Sequence, residues 1–160
     1  MSMRKFLSVL SIGILWANVG FASSACYTPA ELHAEQMLRL HSELMVITVT
    51  CRLGSRGENL GSAYGSLTKK HIAVLHEAEQ TLTHYFNAHG GNGQDALDRL
   101  RTKLGNEFGQ KIADVSAPVY CGQYRDKVLS YRKASTDDVQ NEVQRMVEVE
   151  PSFVPLCAGH

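Results

Sequence analysis

Four cysteines, Cys26, Cys51, Cys121 and Cys157, constrain this 160-residue chain more than any other feature. What they can do depends on the compartment, and residues 1–25 indicate one. Arg4 and Lys5 precede an apolar stretch from Phe6 to Phe21, and Ala22-Ser23-Ser24-Ala25 follows it. A basic start, an apolar middle and a small-residue end form the order of a secretory signal peptide. The apolar run is short for a membrane span of ~20 residues. Cleavage after Ala25, with Ser23 two positions earlier, fits well; cleavage after Ala22, with Gly20, fits nearly as well. The alternatives are a retained anchor and a lipid-modified Cys26, although Ser23 stands where lipoprotein signals favour an aliphatic residue.

In an exported chain an even cysteine count reads as two disulfides. No Cys-x-x-Cys occurs, so a thioredoxin-like dithiol and a zinc ribbon have no support, and Cys157-Ala-Gly-His160 is only a fragment of a haem-attachment pattern. Losing Arg4 and Lys5 leaves 14 basic residues against 16 acidic ones, so residues 26–160 carry about −2 with neutral histidines. No further long apolar run and no Asn-x-Ser/Thr acceptor occur. The expected location is the periplasm or the cell exterior, with no transmembrane segment in the mature chain. Composition agrees: 44% apolar and 20% charged residues, with no basic surplus, suit one globular domain over 26–160. They argue against a disordered chain and against an electrostatic nucleic-acid binder.

Period and punctuation then predict helices. Thr28-Pro29-Ala30-Glu31 offers an N-cap, a first-turn proline and a capping box. The first helix is expected to run to about Arg52, with Met37, Leu38, Leu40, Leu44, Met45 and Ile47 on an apolar face. Glu31, Glu35, Arg39 and Glu43 fall opposite, as i,i+4 neighbours on a solvated stripe. The β-branched run Val46–Thr50 also suits a strand. After the glycines at 54, 57 and 61, a second helix is predicted over 63–89, ended by Gly90-Gly91-Asn92-Gly93. A third covers about 94–115 and contains Gly105 and Gly109, which either permit close helix approach or weaken the helix. A fourth runs from Pro118 to about Lys133, with Tyr120, Cys121, Tyr124, Val128 and Tyr131 on one face. A fifth follows Ser135-Thr136-Asp137-Asp138 to about Val149, and Pro151 and Pro155 stop regular structure.

The fold class is therefore all-α, an antiparallel four- to five-helix bundle. A continuous first helix would hold Cys26 and Cys51 ~35 Å apart, beyond the ~7 Å Cα separation of a disulfide. An up-and-down course brings Cys51 beside Cys121 and so favours Cys51–Cys121 with Cys26–Cys157.

The succession Glu43-Leu-Met-Val46, Thr50-Cys51, Leu82-x-x-Tyr85-Phe86, Leu104-Gly-Asn-Glu107 and Cys121 resembles a set of small secreted α-helical proteins from alphaproteobacteria. The similarity covers about residues 33–131 and not the tail. The set is uncharacterised and implies no activity. It implies that Cys51 and Cys121 belong together and is silent on Cys26 and Cys157.

Seven histidines are many for this length. His41 and His71 each fall on an apolar helix face about ten residues from their connecting loop, so they could face each other. With Glu107 as third ligand they would make a metal site; the plainer reading is a packed imidazole at each position. His33, Met37, His41 and Met45 recur every four residues, which suits copper by ligand type but drifts too far around the helix for one site. His33, His76 and His84 lie at polar edges. His76-Glu77-Ala78-Glu79-Gln80 misses the zinc-protease pattern because Gln80 stands where a histidine is needed. No nucleophile elbow or phosphate loop occurs, and Arg101, on an apolar side, is expected to pair with a carboxylate. The expectation is a non-enzymatic binding or envelope-accessory protein without a cofactor, acting on an unknown protein or small ligand. A periplasmic metal- or haem-binding bundle using buried His and Met is the alternative, and a cryptic enzyme ranks third.

Overall fold

A computed structural model of the chain describes residues 25–52 and 59–158. The expected leader up to Ser24, the loop glycines Gly54 and Gly57, and His160 lie outside the described residues. Among the described residues six helices follow one another: α1 (Pro29–Thr50), α2 (Leu60–Lys70), α3 (Ile72–Ala88), α4 (Gly93–Val115), α5 (Ala117–Tyr131) and α6 (Thr136–Val149). The fold is all-helical and bundle-like, as expected.

Local chemistry sets most boundaries. At α1 the Thr28 hydroxyl accepts from the Glu31 N–H (3.3 Å) and Glu31 accepts from the Thr28 N–H (2.7 Å), the predicted capping box. The β-branched run stays helical, and the Thr48 hydroxyl donates to the Leu44 carbonyl one turn back. At the end of α3, Gly90 takes φ +81°, the Gly91 N–H donates to Phe86 and the Gly90 N–H to Asn87, the two bonds of a Schellman stop. Gly93 is required by space: a Cβ there would sit 2.5 Å from the Thr83 carbonyl oxygen. Gly105 and Gly109 have open space instead, so close helix approach is not their role.

The predicted second helix is two. α2 begins earlier than expected, where Asn59 caps by accepting from the Ser62 N–H (3.0 Å). Its run ends at His71, which leaves helical geometry (φ −105°, ψ 18°) while backbone bonds to Leu67 and from Leu75 continue across it. No glycine or proline marks this break. It falls where Lys70 donates to the Ala134 carbonyl in the α5–α6 connection (2.5 Å) and the His71 ring is buried.

The larger correction concerns α1. It packs against α2, α3, α4, α5 and α6, and every residue from Ala34 to Leu40 is buried. A helix enclosed on all sides over this stretch has no solvated stripe there. Glu35, Arg39 and Glu43 are therefore core residues, with Glu35 0% and Arg39 1% exposed.

Two disulfides hold the ends of this axis. Cys51–Cys121 ties the C-terminus of α1 to the first turns of α5 (Cα–Cα 5.4 Å), and Cys26–Cys157 ties the residues before α1 to the tail (4.9 Å). Both pairings are the expected ones. The single residue Ser116 (φ 77°) turns α4 into α5 and delivers Cys121 to Cys51. The tail descends along α1. Gln36 donates to the Pro151 carbonyl, the Phe153 N–H to Glu35, and the Tyr27 N–H to Pro155, and the Cys157 N–H returns to Tyr27. A parallel bridge joins Tyr27 and Leu156. No helix among the described residues is long and apolar enough to cross a membrane.

Candidate functional site

Two unlike regions flank α1. On the first, burial brings charges together. Glu35 accepts from the Phe153 N–H (3.0 Å) and from Arg39 (3.4 Å), and Arg39 also pairs with Glu107 of α4. The Phe153 ring covers the Arg39 guanidinium, with 5.2 Å from Cζ to the ring centroid. Burial pushes the Glu35 carboxyl up, and the Phe153 N–H and Arg39 oppose it. The Tyr27 hydroxyl lies beside Glu35, short of full hydrogen-bond geometry, and is raised by burial and by that carboxylate.

Two turns along α1 from Glu35, Glu43 pairs with Lys127 of α5 (2.6 Å). Between these pairs opens a cavity of about 190 Å³ bounded by α1, α4, α5 and α6. Its charged lining includes Arg39, Glu43, Lys111, Lys127, Glu142 and Arg145, and Glu150 stands at the end of α6. Arg145 grips Glu142 through two nitrogens (2.8 and 2.5 Å) and holds that carboxyl below its usual range. Phe108, Tyr120 and Met146 supply a buried apolar floor. Burial and the neighbouring Glu43 push the Tyr120 phenol up to about 12, so it remains a hydrogen-bond donor at any physiological pH.

The opposite region holds the expected histidines. His41 and His71 line one cavity with Met37, but it measures only about 20 Å³ and its remaining lining is largely aliphatic. That is space for about one water. The His41 Nε2 is engaged by the Tyr64 hydroxyl (2.8 Å) and Thr68 (3.3 Å), and its ring stacks on Tyr64. His71 is 4% exposed and neither ring nitrogen makes a hydrogen bond of good geometry. Burial lowers the pKa of both, and Lys70 adds to the effect at His71.

The third proposed ligand is not there. Glu107 is held by Arg39 and Lys111 (3.5 Å to the latter) and is absent from that cavity's lining. Among the described residues no group of three or more His, Cys, Asp or Glu converges as metal ligands. The four-residue series also separates: Met37 is buried beside His41, His33 is half-buried and Met45 is exposed. His76 and His84 are exposed. Arg101 pairs with Glu79 (2.5 Å) and Asp98 (3.0 Å), as expected for a cation on that side.

Sequence reasoning did not single out Gln36, Lys127, Glu142 or Arg145. The partners of Gln36 and Lys127 lie 115 and 84 residues away, and no local spacing announces them; Glu142 and Arg145 pair at i,i+3 within α6, a spacing that was legible. One signal was available for Glu35 and Arg39: Ala34, Met37, Leu38 and Leu40 surround them on both sides, which is too much apolar surface for a one-faced helix. Compared with family models, with curated proteins and with solved structures, the chain has no match.

Proposed function

We propose that this is an exported, non-enzymatic binding protein of the bacterial envelope, and that its binding site is the polar cavity between α1, α4, α5 and α6. The observation that carries this reading is the cavity itself, in which converging charged groups stand over an apolar floor; polar groups so placed fix the orientation of a bound ligand. The charges support binding more than catalysis. Lys127 is committed to Glu43 and Arg145 to Glu142, so none of these four stands ready as a free acid or base. Export is supported by the leader-like residues 1–25 and by disulfides that use all four cysteines, which suit an oxidising compartment such as the periplasm. The resemblance to small secreted helical proteins points the same way.

A metal- or haem-carrying bundle has less behind it. The His41/His71 cavity of about 20 Å³ is far too small for haem, and Glu107 is committed elsewhere.

Native mass spectrometry of protein released by osmotic shock tests the reading in one measurement. The expected mass corresponds to a chain starting near Cys26, lighter by the hydrogens lost to two disulfides, with a retained small molecule. A full-length reduced chain confined to the cytoplasm overturns it.

A further inference from the structure

We propose that the ligand of this cavity is a small zwitterion: an α-amino acid with an apolar side chain. The inference rests on the binding reading above and gives it a chemistry.

It starts from two pairs of opposite charges, each about one turn apart on its helix and both lining the cavity. Arg39 and Glu43 are i,i+4 on α1, about 6 Å apart along the axis, yet Arg39 turns to Glu35 and Glu107, and Glu43 turns to Lys127. Both still line the cavity. The α1 wall therefore presents a cation and an anion one turn apart, and the Arg39 Nε donor has no acceptor. The α6 wall presents Glu142 and Arg145, again an anion and a cation one turn apart. Lys111, Lys127 and Glu150 complete the lining with both signs.

A ligand of one sign gains little in such a site. A bare anion would meet Glu43, Glu142 and Glu150 along with the cations, and a bare cation would meet Arg39, Lys111, Lys127 and Arg145. Either would set its charge against like charges in partly desolvated surroundings, which is costly. A zwitterion offers an acceptor to the cations and a donor to the carboxylates while adding no net charge. The buried floor of Phe108, Tyr120 and Met146 offers nothing to a third charge and suits an apolar side chain. The volume of about 190 Å³ is about ten times that of the His41/His71 cavity, which has space for about one water, and gives room for a molecule on the scale of an amino acid.

Calorimetric titration of the disulfide-intact protein tests this with four probes of one shape: leucine, 4-methylpentanoate, isopentylamine and N-acetyl-leucine amide. Leucine should bind at least tenfold more tightly than the other three, which lack the ammonium, the carboxylate or both charges. Arg145→Gln should weaken leucine at least tenfold. Arg145 is half-exposed with a side chain 55% accessible, so the variant should keep the parent's circular dichroism and melting temperature. If a one-charge or uncharged probe binds as well as leucine and loses affinity in Arg145→Gln, the cavity is a binding site and the zwitterion assignment is overturned. If no probe binds, or if binding is unaffected by both Arg145→Gln and Glu142→Gln, the assignment and the binding reading fall together.

Discussion

The two flanks of α1 differ in how they manage polarity in one protein core. On the histidine flank a cavity of about 20 Å³ sits beside an imidazole with no hydrogen bond of good geometry. On the charged flank full ionic groups are buried, but each meets a partner brought by another element: Glu107 by α4, Lys127 by α5 and the Phe153 N–H by the tail. A buried neutral imidazole is inexpensive enough to leave alone. A buried carboxylate or guanidinium is not. The charged flank should therefore be fragile to the loss of any one partner, and the histidine flank nearly indifferent to losing its polar group.

Removing Arg39 tests the contrast most severely. Arg39→Met leaves Glu35 in the core with only the Phe153 N–H, and the expected loss is about 3–5 kcal/mol in urea unfolding. The double variant Glu35→Gln/Arg39→Met should recover most of it, because no uncompensated charge then remains. A loss below about 1 kcal/mol for the single variant would mean that water reaches this flank, and the comparison would collapse.

The tail comes next, since it closes only the charged flank. Cys26→Ser/Cys157→Ser should cost ~2–4 kcal/mol and should selectively speed hydrogen exchange at the Phe153 N–H, which Glu35 accepts. The exchange rates of α2 should stay as they were. Cys26 and Cys157 are both half-buried, whereas the other bond joins the half-buried Cys121 to Cys51, which is 2% exposed, so a mild reductant should open the tail bond before Cys51–Cys121. The opposite order, read by alkylation and peptide mapping, would show that the tail is the more protected end.

These two flanks were not equally legible in the sequence. The apolar face of α1, its capping box and the stop after α3 are written in neighbours within a few residues, so period and punctuation found them. The cysteine pairing was legible because one straight helix forbade Cys26–Cys51 and an up-and-down course set Cys51 beside Cys121. The burial of Glu35, Arg39 and Glu43 was hidden because what covers them lies far along the chain: Glu107 is 68 residues from Arg39, Lys127 84 from Glu43 and Phe153 118 from Glu35. Local spacing instead suggested an Arg39–Glu43 pair that the structure does not make. The break at His71 was hidden for a related reason, since its contacts come from the α5–α6 connection and no helix breaker stands there. Of the candidates His41, His71 and Glu107, the two imidazoles line one cavity and the carboxylate lies with the other flank.

The histidine flank has its own test in pH. The His71 pKa is lowered in the folded protein, so below its ordinary value of ~6.5 the unfolded chain takes up a proton that the folded one does not. Stability should fall as pH drops from about 6.5 towards the lowered folded value, and be unaffected by this group above that window. His71→Leu should remove its share of the slope. Because the imidazole makes no good hydrogen bond, the same change should be neutral or stabilising by up to about 1 kcal/mol at pH 8. His33 and His41 are lowered too, so the comparison is the difference in slope between parent and variant. A variant less stable than the parent at pH 8 would reveal a hydrogen bond at His71 and make the two flanks alike.

The smallest effect concerns how α4 is held against the charged flank. Two devices could set that distance: glycines that let the helices touch, or the Arg39–Glu107 pair that spans the gap. Gly105 brackets Glu107 by two residues on one side and Gly109 by two on the other, the spacing expected if glycine were the device. A Cβ built at either position meets nothing within 4 Å, so glycine is not the device that sets the spacing. Gly105→Ala should then stabilise the protein by about 0.5–1 kcal/mol, the helix-propensity gain with no steric penalty, and Gly109→Ala should do the same. Gly93→Ala provides the opposing control, since its Cβ would strike the Thr83 carbonyl and the variant should lose stability. If Gly105→Ala or Gly109→Ala were destabilising in urea unfolding, α4 would approach α1 more closely than these contacts allow. The charged flank would then owe its closure to backbone packing in addition to paired charge.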